Sequence, residues 1–357
     1  MTHAYTSPTL FSVKSQNVKK WTLILVFKII ALSSSLTSQP LLPPAKKIIR
    51  ISLENRETHV QARHVRRFAE ELARQLGASW RVEVYPDARL FRDREVLNAV
   101  HSGKVEMAVP GTWNLELYVP DLALFLLPVF YGRTPEENHS LSDGPVGQKI
   151  QQKMETLYDV RVPGRWMDLG YAHVFTLGKP ITKWEDFRGL RIRVAGGKGN
   201  ELRLAGLGSH SFTIPWSELV ERLQGKMLDG LLTTYETIRS AELWKYGVRY
   251  AFEDRQYFPM YLPLVNKQVW DSLELSERTA FRTLWNRQAK HQREEASQAQ
   301  MQAKEAFIQQ GGGQVVQPSP TELHRIRTVL QRLQPAFLKQ LRIDESLVLD
   351  AEKELEL

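Results

Sequence analysis

The chain has no cysteine among its 357 residues. Disulfides, thiolate zinc sites, iron–sulfur clusters and a cysteine nucleophile are excluded, and no residue could carry a lipoprotein's lipid. Long apolar runs are also scarce. The main one, Trp21 to Leu32, is broken by Lys28. At about 12 residues it falls short of the about 20 that span a bilayer. Catalytic signatures are missing too. The nine histidines contain no H-E-x-x-H, and His59 and His64, five apart, do not share a helix face. There is no G-x-S-x-G. Gly196-Gly-Lys-Gly199 fits neither phosphate-loop pattern and reads as a flexible strand-to-helix turn. The acidic doublets Glu70-Glu71, Glu136-Glu137 and Glu294-Glu295 read as solvated helix faces. Acids are absent from residues 1–38, which hold Lys14, Lys19, Lys20 and Lys28. Without them the net charge falls from +8 to +4 (44 basic against 40 acidic), so no nucleic-acid partner is implied.

What is present begins with an address. Lys19 and Lys20, the short apolar run and the small residues Ser33-Ser-Ser-Leu-Thr-Ser38 form the pattern of a secretory signal peptide over 1–38, cut near residues 33–39. An uncleaved amino-terminal anchor is the competing reading. The mature chain is expected to be soluble and exported.

The body alternates strands and helices. Lys47 to Leu53 has strand spacing. Thr58 and Gln61 suggest a capping box, followed by the stripe Val60, Val65, Phe68, Leu72 and Leu76, stopped by Gly77. Trp80, Val82 and Val84 alternate with polar residues as a half-buried strand does. A helix over 93–102 and a strand over Val105–Val109 complete a strand–helix–strand–helix–strand unit, which predicts a parallel α/β sheet. Further strands are expected at 171–177, 190–194, near Tyr250 and at 261–265, with helices at 200–207, 216–223 and 237–246. One helix from Ser276 to Gln310 would be about 50 Å long at 1.5 Å per residue, and Gly311-Gly-Gly313 ends it. Ser319-Pro-Thr-Glu322 opens a final helix as a second capping box.

In Arg191-Ile-Arg-Val194 the two arginines share one strand face. An arginine at the carboxyl end of such a strand points toward the crevice where open α/β sheets bind ligands. Its planar fork matches a carboxylate in two charge-assisted hydrogen bonds. On spacing alone, a surface arginine is the ordinary reading.

Trp184-Glu-Asp-Phe-Arg-Gly-Leu-Arg-Ile-Arg-Val194 resembles the signature of the DctP-type solute-binding proteins, the receptors of TRAP (tripartite ATP-independent periplasmic) transporters. Other stretches agree in order: Val82-Glu-Val-Tyr-Pro86, Glu95 to Ala108, Leu127-Pro-Val-Phe130 as an "LPF" strand, Ile214 to Leu219, Leu223 to Gly230, Pro263-Leu-Val-Asn266 and the triple-glycine end of the long helix. The resemblance spans about residues 46–340.

That resemblance implies a periplasmic-binding-protein-like α/β fold: two domains around a cleft, with a long domain-spanning helix. Domain one would hold 46–170 plus 259–298, and domain two 171–258 plus 299–357. The cleft would close by hinge motion around a small organic acid and deliver it to TRAP permease subunits. No catalysis, cofactor or metal is implied, and monomer and dimer both stay open. By the family pattern Arg193 would clamp the ligand carboxylate. Trp216 would line the pocket, with a core tryptophan as the alternative. Thr233, with Thr234 and Tyr235 beside it, would touch ligand. The loop Gly111, Thr112, Trp113 and Asn114 would add contacts, and Glu54 would stand at the cleft mouth.

The chain also departs from the pattern. The second arginine of a "G-x-R" segment is absent from Gly170-Tyr-Ala172, Leu232-Thr233 replaces a Glu-Asn pair, and Phe91 replaces a glycine. With Trp113, Tyr171, Trp216 and Tyr235, the pocket would be aromatic with one strong cation. That favours a monoanionic or partly apolar acid, a carboxylate or a sulfonate, over a simple dicarboxylate. Two other functions stay open: a ligand-binding sensor feeding a membrane signalling partner, and an exported enzyme.

Overall fold

A computed structural model describes residues 47–357; the signal-peptide and anchor readings concern residues outside that range. Strand β1 (Lys47–Ser52) runs parallel to β2 (Trp80–Tyr85), joined by helix α1 (Val60–Leu76). The α1 stripe Val65, Phe68, Leu72 and Leu76 is buried, and Gly77 caps its end at φ +71°, where a Cβ would be strained. The expected Thr58 capping box does not form. His59 is the N-cap and accepts the Gln61 N–H at 3.2 Å, while the Gln61 side chain donates to Val109 O at 2.8 Å.

Helix α2 (Asp93–His101) leads to β3 (Met107–Ala108), parallel to β1, and then to the single-turn α3 (Thr112–Leu115). The expected strand at Leu127–Phe130 is instead a 3-10 turn, preceded by another over Pro120–Leu126. Pro120 and Pro128 stand at the first positions of these turns. Proline fixes φ and offers no N–H to a sheet ladder, so the apolar run buries itself in helical turns. Helices α4 (Pro135–Asp143) and α5 (Pro145–Tyr158) and the short β4 (Val160–Arg161) and β5 (Met167–Asp168) follow.

The chain then builds a second sheet from β6 (Ala172–Thr176), β7 (Arg191–Val194), α6 (Lys198–Gly206), β8 (His210–Thr213), α7 (Leu219–Gln224), β9 (Gly230–Thr233), α8 (Tyr235–Ser240) and β10 (Tyr250–Tyr257). It returns through β11 (Met260–Tyr261), paired with β5, and β12 (Leu264–Asn266). Helices α9 (Lys267–Asp271) and α10 (Leu275–Gln309) follow, then β13 (Gln314–Val316), α11 (Pro320–Gln331), α12 (Gln334–Leu341) and α13 (Glu345–Glu354). The first sheet has the order β2-β1-β3-β12-β4, and the second β13-β10-β6-β9-β7-β8.

Strand β7 lies parallel to both its neighbours. The 35-residue α10 packs Phe281, Trp285 and Ala289 into the core beside the first sheet, and Ala303 and Phe307 into the core beside the second. The final region is three helices, and its opening box is half-formed. Ser319 accepts the Glu322 N–H, but the Glu322 carboxylate accepts from Trp184 N at 2.7 Å instead. Helix α13 packs against α4 and α5, with Lys149 and Asp350 paired at 2.5 Å.

Candidate ligand-binding site

The carboxyl ends of β1, β3, β7, β8 and β9 converge on a cavity of about 230 Å³. That is several times the about 30 Å³ one water occupies. Two of the segments that pass between the sheets, at Leu169–Ala172 and Tyr257–Tyr261, also line it. Glu54, Trp113, Asn114, Arg193, Trp216 and Thr233 all face this space.

Arg193 occupies the third position of β7 and is 3 % exposed. Its Nε donates to Ile214 O at 3.0 Å, and its guanidinium carbon lies 6.0 Å from the Trp216 ring centroid. Burial pushes its pKa down to about 10, against the pull of the Glu54 charge. Among the described residues it makes no ion pair. Arg191, two positions earlier, pairs with Asp229 at 2.9 Å in a half-exposed position. The two arginines of one strand therefore have different fates: one is neutralised at the surface, the other is buried on the cavity wall.

Glu54 follows β1 and caps α2, where its Oε2 accepts the Asp93 N–H at 2.6 Å. Asp93 is buried, and its Oδ2 accepts from Gly111 N at 3.1 Å and Asn114 Nδ2 at 3.3 Å. Burial, then the Glu54 charge, holds the Asp93 carboxyl well above its ordinary range. Burial raises Glu54 as well, opposed by the Asp93 N–H and Arg193. The Trp113 ring meets Tyr261 edge-on at 5.5 Å.

Thr233 ends β9, and Thr234 caps α8 by accepting the Thr237 N–H at 3.3 Å. Thr234 and Thr237, three apart on one helix face, line the cavity. Tyr235 turns the other way, its hydroxyl donating to Glu253 at 2.8 Å. Tyr171 also lies elsewhere. Its hydroxyl donates to Arg133 O at 2.6 Å, and its ring stacks near His173 at 6.4 Å. Both tyrosines line a second hollow of about 610 Å³, beside α10.

The Gly196–Gly199 turn holds a further carboxylate. Glu116, just after α3, accepts from the Lys198 and Gly199 N–H groups that open α6. Gly197 sits at φ +91°, and a Cβ there would lie 3.2 Å from Glu116 Oε2. The anion on this helix N-terminus thus comes from the chain itself. Sequence reasoning missed Asp93 and Glu116, since a lone acid near a helix end carries no motif. Among the described residues no cluster of three or more acids or histidines could hold a metal ion, and no helix is long and apolar enough to cross a membrane.

Residues 51–340 match the family described as DctP, bacterial extracellular solute-binding protein, family 7. A C4-dicarboxylate-binding periplasmic protein DctP of Rhodobacter capsulatus is 29 % identical over 199 residues, which cover 56 % of this chain and 58 % of that protein. The sugar acid binding protein of Advenella mimigardefordensis, solved with galactonate, superposes with a TM-score of 0.80 at 19 % identity, covering 87 % of this chain and 99 % of that one. A TRAP periplasmic solute binding protein of Ralstonia eutropha, solved with (S)-2-acetolactate, gives a TM-score of 0.80 at 21 % identity, covering 87 % and 99 %. The family match spans most of the chain, and the fold of two sheets around a cleft agrees with it: this chain belongs to the DctP family of bacterial extracellular solute-binding proteins.

Proposed function

We propose that this chain is the extracytoplasmic receptor of a TRAP transporter. It takes up a small monoanionic organic acid in the cleft and delivers it to the membrane permease. The observation that carries this reading is Arg193, a buried guanidinium on the cavity wall with no carboxylate partner of its own among the described residues. A buried cation without a counter-ion is costly, and a ligand carboxylate or sulfonate supplies one through paired charge-assisted bonds. Trp216 and Trp113 add apolar walls. Structural neighbours solved with galactonate and acetolactate, both carboxylates, support the acid class. We assign the two sheets to two lobes, 46–170 plus 259–298 and 171–258 plus 299–357, that close on the ligand.

The test is a thermal-shift screen of the chain, stripped of ligand by unfolding and refolding, against carboxylates and sulfonates. A ligand at about 1,000 times its Kd adds about 4 kcal/mol of stability. At roughly 2–4 °C per kcal/mol, that is a plain rise in Tm. Arg193→Ala should cost about 3–5 kcal/mol of binding, more than a hundredfold in affinity. An Arg193→Ala protein that responds as the wild type does would remove the anchor. A chain that responds to no acid would remove the acid-receptor reading.

A further inference from the structure

The lining of the ligand cavity carries two arginines besides Arg193 that no motif marks, Arg92 and Arg94. They stand at the start of α2, Arg92 as its N-cap and Arg94 as its second residue. Asp93, between them, turns inward, where its Oδ2 is held by Gly111 N and Asn114 Nδ2. Arg92 and Arg94 are exposed, and neither has an ion-pair partner among the described residues. Both stand near the buried wall. Glu54 feels the charges of Arg193, Arg92 and Arg94, and Arg193 feels that of Arg94.

The other charged groups on the lining are Glu54, Asp93 and Glu95. Glu54 and Asp93 are tied into the wall by backbone N–H groups. Glu95 is exposed and also has no ion-pair partner among the described residues. Apart from Arg193, the side formed by β7, β8 and β9 offers no charge: Ala195, Gly196, Pro215, Trp216 and Thr233 line it. An acid arriving from solvent therefore meets two free guanidinium groups and one free carboxylate before it reaches Arg193.

Exposed and buried arginines act at different stages of binding. An exposed charge stays hydrated and screened, so it adds little to the affinity of the finished complex. It acts at a distance, over about 8 Å at physiological ionic strength, and changes how often an opposite charge arrives. A buried partner acts at contact and changes how long the complex lasts.

Resting on the acid-receptor reading above, we infer that Arg92 and Arg94 steer the acid into the cleft. They set the rate of capture, Glu95 opposes them, and Arg193 sets the time of residence.

The probes are galactonate, acetolactate, glucuronate and succinate. The tightest binder to the refolded chain by calorimetry is followed by stopped-flow tryptophan fluorescence, for which Trp113 and Trp216 on the lining supply the signal. The variants are Arg92→Gln with Arg94→Gln, Glu95→Gln and Arg193→Ala, each checked for folding by thermal unfolding. At low salt the double arginine variant should lose about tenfold in association rate, the low end of what charged clefts supply. Its dissociation rate should stay within about twofold of wild type, because rim charges act mainly on encounter. Glu95→Gln should change the association rate in the opposite direction. The differences should vanish near 1 M salt, where the screening length falls to about 3 Å. Arg193→Ala should instead raise the dissociation rate.

An association rate that the double variant leaves unchanged at low salt would overturn the inference. So would a loss that persists near 1 M salt, or one that falls on the dissociation rate, since either would make Arg92 and Arg94 contact residues. The failures stay separable. A probe held through Arg193 but captured at the same rate by every rim variant would remove the steering alone, whereas a panel in which no probe binds would remove the receptor reading and the steering with it.

Discussion

Glu116 is a buried carboxylate that accepts two backbone N–H bonds, yet burial outweighs them and raises its pKa to about 7. Lys198 helps the charged form and Glu201 opposes it, while the buried Tyr257 feels the Glu116 charge. The sign follows directly. The group titrates near 4.5 when free, so its stabilising contribution is whole below that pH. It is lost progressively as pH rises to about 7 and stays lost above, a difference of about 3 kcal/mol. Glu116→Gln keeps an oxygen for the Lys198 and Gly199 N–H groups and cannot ionise. Denaturant unfolding at pH 5 and pH 8 should show the variant near wild type at pH 5 and more stable at pH 8; equal stability at pH 8 would mean that Glu116 is not a strained anion. At this scale the sequence was legible in parts. Arg193 could be chosen only through the family resemblance, since spacing alone reads it as an ordinary surface arginine. Tyr171 and Tyr235 could not be excluded, because what turns them away is parity. Tyr171 and His173 share one face of the β6 segment while Ala172 faces the cleft, and on α8 the cleft side belongs to Thr234 and Thr237. A shift of one residue in the β6 segment would exchange Tyr171 and Ala172 at the cleft.

Helix α6, whose first N–H groups are held by Glu116, is also pinned from behind. Arg203 on α6 and Asp254 on β10 form an ion pair at 3.1 Å with both side chains 0 % exposed. Such a pair is marginal as a whole but expensive to break. Arg203→Leu should cost about 3–5 kcal/mol, because it strands the Asp254 charge. The double variant Arg203→Leu, Asp254→Leu should recover much of the loss in equilibrium unfolding. Additive costs in the double variant would show that the two groups do not compensate one another. Elements like α1, β1 and β2 were readable because an amphipathic period repeats over many residues. Strand β9 was not, since all four of its residues are buried and no alternation marks it. The expected strand at Leu127–Phe130 rested on the resemblance alone, and Pro128 within it argues for the turn that is found.

At the scale of the whole molecule, the chain passes between its sheets at Leu169–Ala172 and Tyr257–Tyr261, and both passages line the cavity. A ligand gripped by Arg193 on one sheet and by residues of the other would draw the sheets together about those passages, with α10 bending or sliding beneath them. The absence of cysteine makes this measurable, because two introduced thiols can be labelled without background. Arg74, in the last turn of α1, and Glu221, on α7, are exposed and belong to different sheets' layers. An Arg74→Cys, Glu221→Cys chain carrying spin labels should show a shorter and narrower distance distribution when saturated with an acid that raises its Tm. The same pair in the Arg193→Ala background should keep the unliganded distribution at that concentration, since a ligand that does not distinguish the open from the closed form cannot shift the balance between them. If the wild-type distances do not move while the ligand is bound, the two sheets act as one rigid body, and the cleft admits its ligand without closing.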